Sequence, residues 1–180
     1  MDWLQPPGSS ASAVLRKVKP AKAVEAERKH LALGYIADVR RLDAELADSR
    51  ARIIKAVRAS GTSVVELNGV GPIVAALVLG HSGDICRFKN RDHYASYNGT
   101  APIDASSGPR KRHRLNPRGN RQLNHAIHII AVAQIRHDSE GRRYFDRKVA
   151  EGKSTKEAMR ALKRQISNAV YARLVDDVSR

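Results

Sequence analysis

A single cysteine, Cys86, serves the whole 180-residue chain. That excludes an internal disulfide and a cysteine-built zinc cluster, and makes a reducing cytoplasm the expected setting. Aromatic side chains are scarce too, at 4% with one Trp and two Phe. A core drawn mainly from Ala, Val, Leu and Ile suits closely packed helices better than an aromatic-rich sheet sandwich. No apolar run is long enough to span a bilayer; the best, Ile127 to Ile135, is broken by His128 and Gln134. The opening residues, Met1-Asp2-Trp3-Leu4-Gln5-Pro6-Pro7, have neither the basic nor the apolar region of a secretory signal. Acid is the remaining shortage: 18 Asp plus Glu stand against 33 Lys plus Arg, a formal net charge of +15. A field of that sign draws polyanions, so DNA or RNA is the expected partner and a membrane is not.

What is present reads as helix. Residues 1–20, with Pro6-Pro7-Gly8-Ser9-Ser10 and then Lys17 and Lys19, read as a poorly ordered leader. From Ala21 an amphipathic pattern begins. Ala32, Val39, Leu46 and Ile53 recur every seven residues, and Tyr35, Leu42, Ser49 and Ala56 follow each by three. This a/d seam predicts an arm over 21–59, as a coiled coil between subunits or packed on its own domain. Gly34 is a candidate interruption. Ser60-Gly61-Thr62 closes the arm. A compact helical domain is expected over 60–150 and a final helix within 151–180. Inside the domain the pattern predicts a short helix over 63–67 and a second from Pro72 to about Leu79. One or two helices over 82–98 follow, with Phe88, Tyr94 and Tyr97 as anchors, then a loop over 99–118. A helix opening at Gly119 or Asn120 runs to about His137, a turn is expected at Gly141, and Ser154 with Glu157 forms a capping box. The fold class is all-α.

Three stretches carry chemistry. Asn68-Gly69-Val70-Gly71, between two short helices, suggests a helix-hairpin-helix turn whose amides hold a phosphate oxygen. Such a contact positions a duplex without reading its bases. The segment 109–121 holds Arg110, Lys111, Arg112, Arg114, Arg118 and Arg121 with no acid among them, and phosphates are the natural counter-charge. Ser106-Ser107-Gly108 precedes that run. A hydroxyl beside arginines can attack a phosphodiester, although serine and glycine are ordinary turn residues as well. His125 and His128 suit a packed or phosphate-facing role. No acid or cysteine stands at a matching spacing, so no metal site is expected.

These stretches, with Gly83-Asp84-Ile85-Cys86-Arg87-Phe88, Tyr94 through Pro102 and Arg118-Gly119-Asn120-Arg121-Gln122-Leu123, resemble the C-terminal domain of the IS110/IS116/IS902 transposases, the Piv-like or DEDD recombinases. Five motifs fall in order over about Val64 to Ala133; one step differs, Gly99-Thr100 where the family tends to keep Gly-Leu. The resemblance implies DNA transposition by a two-part recombinase. An N-terminal RuvC-like domain carries acidic ligands for Mg2+, a coiled-coil arm follows, and the C-terminal domain supplies a serine nucleophile, here Ser107 with Ser106 adjacent. It also implies homo-oligomers, through residues 31–57 here, a bacterial, nucleoid-associated location and, in some members, a structured guide RNA. No acidic domain is legible before Pro20, so the expectation is an incomplete enzyme acting with a RuvC-like domain in trans. The alternatives are a non-catalytic nucleic-acid-binding module and an oligomerising regulator or remnant.

Overall fold

The computed structural model describes residues 9–104, 113–114 and 119–180. Among them are seven α-helices and one ribbon of two-residue strands, so the chain is all-α. It divides into two compact units, residues 1–52 and 53–180.

The first unit holds α1, Ser9–Lys17, and most of α2, Ala23–Ala59. A helix thus occupies the middle of the stretch expected to be a leader. Ala, Ser, Leu and Arg at 11–16 are compatible with helix, and Arg16 and Lys17 favour its C-terminal end. The Lys29 ammonium closes that end by donating to the carbonyls of Arg16 and Val18, at 3.1 and 2.7 Å. Gly34 does not interrupt α2, which runs unbroken for 37 residues. The seam residues Tyr35, Val39, Leu42 and Leu46 are all exposed, while ion pairs such as Arg41–Glu45 and Arg52–Asp48 decorate the same helix.

The second unit is built around two long helices. In α5, Arg121–Arg136, residues Leu123, Ala126, Ile127, Ile130 and Ala131 are fully buried. That is the i, i+3, i+4, i+7, i+8 stripe of a helix with one face in a core. In α7, Thr155–Val178, a row four residues apart (Ala158, Leu162, Ile166, Val170, Leu174) meets it. The helix begins as its sequence specifies. The Ser154 side chain accepts from the Glu157 amide, and Glu157 answers with the Ser154 amide at 3.0 Å.

Shorter elements close the core. One 310 turn, Ser63–Glu66, replaces the α-helix expected over 63–67; the Thr62 side chain caps it. Its start is fastened to α7, where Asp177 accepts from the Thr62 hydroxyl at 2.8 Å and the Ser63 amide at 2.9 Å. Burial pushes the Asp177 carboxyl up, but those hydrogen bonds outweigh it and hold the group below its usual range. Helix α3, Pro72–Ser82, places Pro72 in its first turn, where a missing N–H costs nothing. A second 310 turn, Ile85–Arg87, is capped by Asp84, and α4, Arg91–Tyr97, by Asn90. Phe88 and Tyr94 meet edge to face at 5.2 Å. The fully buried Tyr94 hydroxyl shares a 2.8 Å hydrogen bond with Ser82, and burial raises its pKa to about 12. The turn expected at Gly141 is absent. Gly141 lies inside α6, Glu140–Ala150, buried against Gln134 of α5, and Ser139 caps the helix two residues before it.

A candidate nucleic-acid interface on the helical platform

Two features of the second unit gather the residues singled out by sequence. The first is the turn Leu67 to Gly71. The Val70 amide donates to the Leu67 carbonyl at 3.0 Å, and Gly69 takes a left-handed φ of 83°. A Cβ at Gly69 would stand 3.1 Å from both the Ala133 Cβ and the Ile130 carbonyl oxygen. Glycine is therefore demanded twice, by backbone angle and by packing on α5. Gln134 fixes the turn by donating to the Asn68 carbonyl at 2.7 Å. Gly71 caps α3 without a side-chain bond; it is exposed, and nothing lies within 4 Å of a Cβ built there. The start of α3 is thus exposed at Pro72 and Ile73, beside Asn68, which is exposed as well.

The second feature is the stem of the loop that follows α4. The Asn120 amide donates to the Tyr97 carbonyl at 2.6 Å, and the Asn120 side chain donates to the Tyr97 hydroxyl at 3.0 Å. The same Asn120 caps α5 by accepting from the Leu123 amide. Gly119 lies so close that a Cβ would stand 2.5 Å from the Gly99 nitrogen and 2.6 Å from its Cα. No flexible side chain is there to yield, so this approach requires glycine. Beyond the stem, strands β1 (Ile103–Asp104) and β2 (His113–Arg114) pair antiparallel, with Ile103 opposite Arg114 and Asp104 opposite His113.

Behind the stem runs a polar network. Asn98 is fully buried. Its amide nitrogen donates to the Ser167 hydroxyl of α7 at 2.7 Å, while its side-chain oxygen accepts from the Thr100 amide at 3.1 Å and hydroxyl at 2.7 Å. The Asn98 carbonyl accepts from Asn124 of α5 at 2.7 Å, and Asn124 in turn accepts from Lys163 of α7 at 2.6 Å. On the other side, the Arg87 guanidinium lies 4.4 Å from the ring centres of both Phe88 and Tyr97. Arg87, with the Asn120 amide, holds the Tyr97 phenol below its ordinary pKa.

The structure therefore brings Asn68, Gly69, Val70 and Gly71 together in one turn on α5, and puts Arg121 in the exposed first turn of the same helix. Arg114 belongs to β2. The candidate nucleophiles Ser106 and Ser107 and the basic residues Arg110, Lys111, Arg112 and Arg118 lie outside the described residues. Sequence reasoning missed Asn98, Asn124, Lys163 and Ser167, whose contacts join positions 26 to 69 residues apart. Periodicity signals no such link. It also missed a cleft of about 880 Å3 beside the turn, lined by Glu66, Asn68, Gln134, Asp138, Arg143 and Tyr144 among others. Both charge signs line it. Among the described residues no three His, Cys, Asp or Glu side chains converge on a metal position, so these residues do not fit a Mg2+ site. No helix among them is long and apolar enough to cross a membrane.

The second unit is thus an all-α platform with a glycine turn before α3 and a stem that joins α4 to α5. Residues 61–146 match the Transposase IS116/IS110/IS902 family, and through them the chain belongs to that family. An uncharacterized 43.6 kDa protein of insertion element IS110 from Streptomyces coelicolor is 39% identical over 114 residues, 63% of this chain and 28% of the relative. A 42 kDa protein of insertion element IS900 from Mycobacterium paratuberculosis is 34% identical over 143 residues, covering 77% and 36%. A 44.8 kDa protein of insertion element IS116 from Streptomyces clavuligerus is 27% identical over 138 residues, covering 75% and 35%. The chain spans roughly a third of the length of these relatives.

Proposed function

We propose that this chain is the DNA-binding and serine-bearing part of a transposase that works as a bacterial, nucleoid-associated recombinase. The observation that carries the reading is the clamped stem. Tyr97 and Asn120 fasten the two ends of the segment 101–118 to α4 and α5, and that segment contains Ser106, Ser107 and five of the six basic residues of the run. In the proposed step the Ser107 hydroxyl oxygen gives up its proton and bonds to a DNA phosphorus, one bridging P–O bond breaks, and the departing sugar oxygen takes up a proton in place of the one the serine released. Arginines stabilise the charge gathering on the phosphoryl oxygens. The exposed start of α3 after Gly71 adds a helix-hairpin-helix-like phosphate contact. Mg2+ belongs to an acidic RuvC-like domain rather than to the residues described here, and a structured guide RNA is a further partner for the basic loop.

The test supplies the chain with an acidic RuvC-like domain, fused or in trans, and measures strand exchange. Ser107→Ala should abolish exchange, a loss of at least about 1,000-fold, with duplex binding unchanged. Exchange that survives in Ser107→Ala but disappears in Ser106→Ala would move the nucleophile by one residue. Exchange that survives the double substitution would leave a binding module without a catalytic serine.

The arm supports a second part of the proposal, self-association through residues 31–57. Tyr35, Val39, Leu42 and Leu46 keep between 44% and 67% of their surface exposed, more apolar area than a lone helix leaves uncovered without reason. Sedimentation equilibrium is expected to give a dimer or larger for the chain and a monomer for the Leu42→Glu, Leu46→Glu variant. Equal masses for the two proteins would remove the arm as the interface.

A further inference from the structure

Several cations on the second unit have an acid. Arg164 pairs with Asp92, Arg173 with Glu66 and Arg142 with Asp146. Lys163 does not. This half-buried side chain meets no carboxylate among the described residues and gives its one hydrogen bond to the neutral Asn124 oxygen. Burial pushes its ammonium below the ordinary value, the signature of a cation withdrawn from water without compensation. The His128 imidazole stands in electrostatic reach, and His125 lies in reach of His128. The His128 side chain is held below its usual pKa by partial burial, then by Lys163 and His125, and no acid opposes them. Both histidines are exposed on α5. Neither is packed into the core.

The placement of this cluster is as informative as its charge. Arg121, His125 and His128 stand at i, i+4 and i+7, one face of α5, about 10 Å from first to last. They continue along the helix the basic run that ends at Arg121. Asn124 lies between them, and its bond to the Asn98 carbonyl fixes the acceptor on which the Lys163 ammonium rests. The cation is therefore preorganised and does not search. A face that carries the Arg121 and Lys163 cations beside two exposed imidazoles, following an arginine-rich run, matches a run of phosphates better than a single small anion.

We infer that Lys163, His125 and His128 form a phosphate subsite for the nucleic-acid backbone, extending the contact from the basic loop onto the face shared by α5 and α7. The inference rests on the polyanion reading proposed above. Its test measures anisotropy of a labelled duplex of arbitrary sequence against the full chain over a range of salt. Lys163→Gln should weaken binding about tenfold and reduce the slope of log affinity against log salt by about one. Lys163→Arg should keep the slope. The Lys163→Gln melting temperature should stay level or rise, because an uncompensated cation has been removed, whereas a structural lysine would lower it. In parallel, the His125 and His128 imidazole signals should shift on adding the duplex or inorganic phosphate. Wild-type affinity and slope in Lys163→Gln, with unmoved imidazole signals, would overturn the subsite and leave the loop as the contact. A chain that binds no duplex, but whose imidazole signals move with inorganic phosphate, would keep the subsite and remove the nucleic-acid reading.

Discussion

Asn98→Ala is expected to cost the folded state about 3–5 kcal/mol, read as a shift in urea midpoint at unchanged slope. The side chain is fully buried and satisfies three partners at once: the Ser167 hydroxyl, the Thr100 amide and the Thr100 hydroxyl. Truncation leaves Ser167, itself fully buried, without that donor. It also strips the Thr100 amide of its acceptor and opens a void where the carboxamide stood. Each orphaned buried group costs about 1–3 kcal/mol, and the void adds to that. Ser167→Ala removes one partner only and should cost about 1 kcal/mol. In a double-mutant cycle the two substitutions should couple strongly, since they share one bond. A loss under about 1 kcal/mol in Asn98→Ala would mean that water replaces the amide, and that the network does not hold the stem.

The second large effect falls on binding. Neutralising Arg110, Lys111 and Arg112 together to Gln should weaken duplex affinity about 100-fold near physiological salt and lower the salt slope by about 2.7, at roughly 0.9 per phosphate contact. Raising salt from about 50 to about 200 mM would then cost the wild type about 40-fold more affinity than the variant. The weakening should be alike for unrelated duplex sequences, because a backbone contact carries no base information. A slope unchanged by the triple substitution would show that these cations face solvent in the complex. Weakening confined to one sequence would show base readout instead.

The parts of this fold legible in the sequence are those whose cause is local. The stripe on α5 from Leu123 to Ala131 and the Ser154–Glu157 box depend on residues within two turns of each other. Their positions in the structure follow the pattern closely. The less legible parts have remote causes. Gly141 looks like a turn until Gln134 of the preceding helix is seen against it. The 310 turn at Ser63–Glu66 is short because Asp177, more than a hundred residues away, anchors its start. In the candidate interface, the glycine turn and the basic run announce themselves by composition. The Asn98–Ser167 and Asn124–Lys163 bonds do not, for they join residues with no shared periodicity. Lys163 looks like any surface lysine until its neighbours are known.

The contact between Gly99 and Gly119 has one further consequence. It holds the two ends of the intervening segment side by side, so that the segment closes a loop in the chain. Ordering a longer loop adds little: doubling its length raises the closure cost by about 0.6 kcal/mol. Helices α4 and α5 do not feel the change while the two glycines stay in touch. Such a joint lets the sequence between the two glycines be exchanged, lengthened or rewritten as a cassette without altering the contact that holds its ends.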